Sequence, residues 1–214
     1  MRNKVWIPAF AGMTKILALL LFLSGCASAG YKAQQTPPAG LAPGAVYSFE
    51  GNTVRYTDKD IIIEASYLTP SQADLYFSLY KEGKYKNPFP PGFFVFQLTV
   101  ENKGRKNVTF SPGMAYLLPK KGRPETPEDY TGFYATLQLA GDEDSDERMD
   151  AYKASVLDTG KTIRPGDKAQ GLIVFSPEKS VQESAVLVLN DIYIGNASRT
   201  VPLQFKGIFP AKTD

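Results

Sequence analysis

The chain has 214 residues, with 24 Lys+Arg against 22 Asp+Glu, no histidine and one cysteine. The missing histidine excludes His-based acid–base catalysis, Ser-His-Asp and Cys-His nucleophiles, and zinc sites built on imidazole. The single cysteine excludes an internal disulfide and a thiolate metal cluster.

The first segment in chain order has the parts of an export leader. Arg2, Lys4 and Lys15 supply positive charge, Ile16 to Phe22 are apolar, and Leu23-Ser24-Gly25-Cys26 follow. Ile16 to Leu23 is far short of the roughly 20 apolar residues that a membrane-spanning helix needs. Residues 1–12, with Trp6, Pro8 and Gly12, look foreign to such a leader, while Met13-Thr14-Lys15 and the apolar run already make a complete one. The sequence therefore predicts translation from Met13.

Leu23-Ser24-Gly25-Cys26 resembles the lipobox of bacterial lipoproteins. The resemblance covers residues 13–26 and implies a diacylglycerol on the Cys26 sulfur, cleavage between Gly25 and Cys26, and further acylation of the new amino terminus, with palmitate among the chains. The slim side chains of Ser24 and Gly25 suit a protease working beside that bond. The alternative is a leader cut elsewhere, for example after Ala29, with Cys26 an ordinary apolar residue. Each buried lipid methylene contributes about 0.8 kcal/mol, so two or three chains anchor durably. The resemblance implies a cell-envelope location. In a host with two membranes, Ala27 after the cysteine implies the outer membrane, facing the periplasm.

Removing residues 1–25 removes three of the 24 Lys+Arg and none of the 22 Asp+Glu, which leaves a net side-chain charge of −1. The basic balance of the whole chain belongs to the leader, and no basic patch argues for nucleic acid. Residues 26–45, the expected lipidated cysteine and a tether, are rich in small residues and breakers, including Gln34-Gln35-Thr36-Pro37-Pro38-Ala39-Gly40. A flexible chain of that length spans about 25 Å. Residues 46–210 are expected to form one domain, which at this size buries about 70% of its unfolded surface.

From Val46 the pattern is mostly strand. Val46 to Phe49 and Thr53 to Thr57 flank a Glu50-Gly51-Asn52 turn, and Asp58-Lys59-Asp60 turns the chain again before Ile61 to Tyr67. Thr69-Pro70-Ser71-Gln72 reads as a capping box with proline at the first helical position. The helix is expected to bury Leu75, Tyr76, Leu79 and Tyr80 and to stop at Gly83. Phe93 to Glu101 alternates, with Phe94, Phe96, Leu98 and Val100 on one face. Asn102-Lys103-Gly104-Arg105-Lys106 is a polar turn before Asn107 to Ser111 and Met114 to Leu118. Two further helices are predicted, one from Thr126-Pro127-Glu128-Asp129 into Tyr130 to Gln138. The other starts at Asp144-Ser145-Asp146-Glu147, with Met149, Tyr152 and Val156 as its buried stripe. Strands follow at Ala169 to Phe175, Ala185 to Asn190, Asp191 to Ile194 and Val201 to Phe205. The run Ala185 to Leu189, apolar on both faces, reads as a central strand.

Ile163-Arg164-Pro165-Gly166-Asp167 before Gly171-Leu172-Ile173-Val174-Phe175 is similar to a turn-and-strand pattern of bacterial immunoglobulin-like domains, as is Phe96 to Asn102 with Lys103-Gly104. The resemblance covers about a third of the mature chain and implies a mainly β, immunoglobulin-like antiparallel β-sandwich with two or three short helices inserted. The helical matter of 126–157 departs from a plain sandwich and reads as an insertion between strands, or else as a sign of a different α+β fold.

Asp142, Asp144 and Asp146 have the 1-3-5 spacing of a calcium loop. Glu147 stands where such a loop has glycine, however, and Lys153 where it has its bidentate glutamate. An acidic helix start accounts for them without metal. The prolines of Asn87 to Phe94 stiffen a loop whose Phe89 and Phe93 are expected to fold back onto the core. Ser176-Pro177-Glu178-Lys179 has Ser-x-x-Lys spacing but reads as a turn, and Asn107-Val108-Thr109 and Asn196-Ala197-Ser198 match the glycosylation pattern by chance. No cofactor is expected, since no phosphate-binding glycine loop is present.

The expected role is a non-catalytic binding or scaffolding module, held at the membrane through Cys26 and meeting an envelope protein, with no nucleic acid. The alternatives are an envelope hydrolase using paired carboxylates, recognisable by two carboxylates about 5–10 Å apart in a cleft, and a small-ligand carrier with an apolar cavity between its sheets.

Overall fold

The computed structural model describes residues 44–120, 123–157, 159–176 and 184–206. The leader, Cys26, most of the tether, Pro177-Glu178-Lys179 and residues 207–210 lie outside the described residues.

Ten strands form two antiparallel sheets. The first has the order β1-β2-β3-β4-β8: Val46–Glu50, Thr53–Thr57, Ile61–Leu68, Phe94–Asn102 and Lys168–Phe175. The second is β10-β9-β5-β7: Ala197–Lys206, Ser184–Ile194, Val108–Phe110 and Lys161–Ile163, with β6 (Tyr116–Pro119) also paired to β9. The order β3-β4-β8 facing β10-β9-β5 follows the A-B-E and G-F-C order of an immunoglobulin sandwich, with the β1–β2 hairpin added at one edge. Alternation in β3 and β4 sends Ile61, Ile63, Ala65 and Tyr67 and Phe94, Phe96, Leu98 and Val100 into the space between the sheets. There they meet Leu187, Leu189, Leu203 and Phe205 of the facing sheet. The inter-sheet space is thus filled with fully buried side chains.

Three helices make a partial third layer. They are α1 (Pro70–Leu79) between β3 and β4, and α2 (Tyr130–Leu139) and α3 (Ser145–Ser155) between β6 and β7. They cover the outer face of β4 and β8, where Val95, Leu172 and Val174 bury against Phe77, Phe133, Leu137, Met149 and Tyr152. Phe89 and Phe93 fold into this second core, as expected, and Phe133 stacks on Tyr152 with ring centroids 4.9 Å apart. The 126–157 segment is an insertion between two strands.

The capping box at α1 forms: Gln72 N–H donates to Thr69 Oγ1 at 3.4 Å, and Thr69 N–H donates to Gln72 Oε1 at 2.9 Å. The buried face of α1 differs from the expectation. Ala73 and Phe77 are buried, while Leu75 and Leu79 stand 50% and 69% exposed. The helix is anchored by Phe77, with Tyr76 and Tyr80 half-buried beside it as expected, and the two leucines point away. Its α-helical part also ends at Leu79, with a 3-10 turn Tyr80–Gly83 after it. The cap of α2 is Asp129, the last residue of the expected start, whose carboxylate accepts from Gly132 N–H at 2.7 Å.

Two strand assignments also change. Lys161–Ile163 is a strand, β7, where the sequence suggests only the approach to a turn. The segments expected at Ala185 to Asn190 and Asp191 to Ile194 are one continuous strand, β9. Asp191 takes φ 52°, and Asn190 and Asp191 face a single residue of β10, so the register shifts between Arg199 and Val201. This bulge turns Ile192 and Ile194 inward after Leu187 and Leu189. It also sets Arg199 opposite Ile192 on the inner face, at the end of the sandwich.

Candidate functional site

The richest polar constellation lies at that end, where three turns converge. The β2–β3 turn brings Asp58-Lys59-Asp60, the β4–β5 turn brings Lys103 to Lys106, and the β9–β10 turn brings Gly195-Asn196. All three are on the same end because the strands leading into them run the same way.

Asp58 organises the first turn. Its Oδ1 accepts from the N–H groups of Asp60 and Ile61 at 2.7 and 2.8 Å, and its Oδ2 accepts from the Tyr56 hydroxyl at 2.9 Å. Arg199 reaches across from the facing sheet and donates through Nη1 to Asp58 Oδ2 and through Nη2 to Asp60 Oδ2, the second at 2.7 Å. The Asp58 side chain is 1% exposed, so a buried carboxylate has its partners on every side. Burial first, then the bond to Asp58, raises the Tyr56 phenol above its ordinary range. Burial works against the Arg199 charge, but Asp58 and Asp60 outweigh it and hold the guanidinium above its ordinary value.

Asn102 organises the second turn. It is fully buried; its Nδ2 donates to the carbonyls of Lys106 and Ile163 at 2.8 and 2.9 Å, and its Oδ1 accepts from Gly104 N–H at 3.0 Å. Its backbone accepts from Gly166 N–H and donates to the Asp167 carbonyl. The two segments that resemble immunoglobulin-like turns are therefore bonded to each other through this residue.

Between these turns lies an open depression of ≈ 450 Å³ lined by Lys59, Asp60, Lys103, Gly104, Arg105, Lys106, Ile194, Ala197 and Arg199. Lys59, Lys103, Arg105 and Lys106 are exposed. Among the described residues no ion pair engages them. The lining plus Asp58 carries five cations and two carboxylates, a net +3. Among the described residues, Asp58 and Asp60 are the one carboxylate pair that a single guanidinium joins. Asp58 is saturated by four donors, and Asp60 is held by Arg199 through Oδ2.

The other residues singled out in the sequence lie elsewhere. Asp142 Oδ1 accepts from Asp144 N–H at 3.0 Å, and Asp142 Oδ2 pairs with Arg148 Nε at 3.1 Å; Asp144 stands at the N-cap position of α3 without a side-chain capping bond, and Asp146 is in its first turn. Among the described residues no group of three or more His, Cys, Asp or Glu is arranged to hold a metal ion. The Ser176 hydroxyl donates to Glu128 Oε1, so Ser176 is tied to the start of α2. Burial, with Asp129 beside it, raises the Glu128 carboxyl above its ordinary value. A second, mixed-charge depression of ≈ 310 Å³ on the outer face of the first sheet holds Arg55, Glu64, Gln97, Glu101 and Lys168. Cys26 lies outside the described residues. Among those residues no helix is long and apolar enough to cross a membrane.

Lys103, Arg105 and Lys106 are neighbours in one turn of the sequence, and the fold adds Lys59 and Arg199 to them from the β2–β3 turn and β10. The signal that was present is the strand alternation, which sends the turns after β2, β4 and β9 to one end.

No protein-family model matches the chain, and no curated protein matches it. Among solved structures, the yjhA protein of Bacillus subtilis is 13% identical, over 70% of this chain and 95% of its own, with a TM-score of 0.38. The lipoprotein candidate ycdA of Bacillus subtilis subsp. subtilis str. 168 is 14% identical, over 72% of this chain and 38% of its own, with a TM-score of 0.39. A functionally unknown protein of Listeria monocytogenes EGD-e is 12% identical, over 77% of this chain and 83% of its own, at 0.32. This chain spans well under half of ycdA. Likenesses this distant carry no activity to it.

Proposed function

We propose that the chain is a lipoprotein of the bacterial cell envelope, anchored through Cys26, whose sandwich domain is a non-catalytic binding or scaffolding module for an envelope protein. One observation carries the reading: Leu23-Ser24-Gly25-Cys26 follows the apolar run Ile16 to Phe22, and Cys26 is the chain's single cysteine. The palmitate anchor, the envelope location and, in a host with two membranes, the outer-membrane address all follow from it. The domain gives secondary support. The buried inter-sheet core suits a rigid module better than a carrier.

The test of the anchor is metabolic labelling with a palmitate analogue and membrane fractionation of the wild type beside Cys26→Ala. The reading expects label on the wild type, no label on the variant, and release of the variant from membranes. An unlabelled wild type sinks it. The module role is tested by crosslinking in native membranes followed by affinity capture; repeated capture with no recurring protein would remove it.

A further inference from the structure

We propose that the end of the sandwich bearing Lys59, Lys103, Arg105 and Lys106 docks against anionic lipid headgroups of the membrane to which the chain is tethered. The proposal rests on the lipoprotein reading and adds an orientation to it.

The first support is where the chain arrives. In the β1–β2 ladder Val46 pairs with Thr57, the residue just before Asp58-Lys59-Asp60. The segment preceding Val46, which leads back to Cys26, therefore reaches the domain beside the basic turns, not at the opposite end where Glu50 pairs with Thr53. An anchor on Cys26 brings this end to the membrane first.

The second support is charge. Arg199 holds Asp58 and Asp60, and Lys59, Lys103, Arg105 and Lys106 project without an ion-pair partner among the described residues. The Lys106 stem lies over Gly195, where an added Cβ would meet Lys106 Cδ at 2.8 Å; a bare backbone lets the stem lie flat along the rim. Residues 46–214 as a whole carry 20 Lys+Arg and 22 Asp+Glu, net −2. The described residues among them carry 17 Lys+Arg and 18 Asp+Glu, so with the basic depression and Asp58 at +3 the other described residues are net −4. Six of their acids, Asp142, Glu143, Asp144, Asp146, Glu147 and Asp150, belong to the α2–α3 layer. That layer packs on Val95 and Val174, which pair at the opposite half of β4 and β8. The described charge is thus divided between the basic turns and the acidic α2–α3 layer. Screening confines attraction to within about 8 Å at physiological salt, so a negative surface responds to the near face and not to the net charge. Each Lys or Arg near such a surface strengthens attachment about fivefold, from about 1 kcal/mol apiece.

The test uses the processed protein, purified from membranes and reconstituted in vesicles. Asn196→Cys at the basic end and Glu143→Cys in the α2–α3 loop each carry a fluorophore, and energy transfer to headgroup acceptors is read. In vesicles containing phosphatidylglycerol, transfer from position 196 is expected to exceed that from 143 several-fold. In pure phosphatidylcholine, or in 1 M salt where the screening length is about 3 Å, the two are expected to converge. Combining Lys59→Glu, Lys103→Glu, Arg105→Glu and Lys106→Glu should abolish the difference. Combining Lys81→Glu, Lys84→Glu and Lys86→Glu should leave it, and circular dichroism melts confirm that both variants fold. Equal transfer in phosphatidylglycerol, or a difference that survives the first variant, overturns the proposal. Loss of the difference on adding millimolar inorganic phosphate at constant ionic strength assigns the site to free anions and also overturns it. Mass spectrometry of the same preparation reports Cys26 acylation separately. If no acyl chain is found, the lipoprotein reading has failed, and sedimentation with the two vesicle types decides this face: salt-sensitive binding to phosphatidylglycerol supports it, and no binding overturns it.

Discussion

Replacing Asn102 by alanine tests the argument that one buried amide joins two turns. The change frees the carbonyls of Lys106 and Ile163, which accept from the amide at 2.8 and 2.9 Å, while Gly104 N–H keeps its bond to the Asp60 carbonyl at 2.8 Å. A buried backbone group left unpaired costs about 1–3 kcal/mol. The site is at the end of the sandwich, where water can reach part of it, so the low end applies to each carbonyl and the sum is about 2 kcal/mol. For a domain of this size that lowers Tm by about 4–8 °C. Asn102→Asp is expected to be worse, since it places an anion against two carbonyls while keeping the acceptor for Gly104. Urea unfolding followed by circular dichroism measures both. A loss under about 1 kcal/mol for the alanine variant, or an aspartate variant as stable as the wild type, would refute the reasoning.

Other expectations follow from the same structure. Arg199→Leu leaves Asp58 buried without its counter-charge and is expected to cost about 3–5 kcal/mol, far more than Asp60→Asn; equal effects in urea unfolding would contradict this. Phe77→Ala removes a ring buried in the second core and should cost about 3–5 kcal/mol, while Leu75→Ala on the same helix should stay within about 0.5 kcal/mol; the reverse order would restore the amphipathic face expected from the sequence. Glu128, with its folded-state pKa raised by burial, favours its neutral form, so its contribution is present below the ordinary value of 4.5 and is lost as pH rises through the folded value. Glu128→Gln should thus raise Tm at neutral pH and lose that advantage under acid conditions, as read by thermal melts across pH. Tyr47 and Tyr76 are pushed up to about 12 by burial. The protection they give is complete below 10 and lost as pH rises through that range, so tyrosinate absorbance should rise together with loss of the β signal.

Most strands were legible because half-buried strands alternate. Phe94, Phe96, Leu98 and Val100 could be assigned to one face, and they fill the inter-sheet core. The helix starts were legible because capping is local: Thr69 and Gln72 satisfy each other without help from the fold. Two things were not. β7 is only three residues, too short for alternation to register, and it exists because β5 pairs with it. The inner positions of Ile192, Ile194 and Arg199 depend on a bulge at Asp191, whose positive φ no periodicity reveals. The face of α1 was misread because spacing alone does not say which side meets the sheet; Phe77 outweighs two leucines. Cys26 is legible in the sequence alone. The basic end is half legible: Lys103, Arg105 and Lys106 share one turn, while Lys59 and Arg199 join them only through the fold.

The central claim, a chain anchored at Cys26, is tested most directly by mass spectrometry of the mature amino-terminal peptide. The account predicts a peptide that begins at Cys26 and carries a diacylglycerol on its sulfur. A mature terminus elsewhere, such as Gly30 after cleavage behind Ala29, or a Cys26 thiol without lipid, would contradict it.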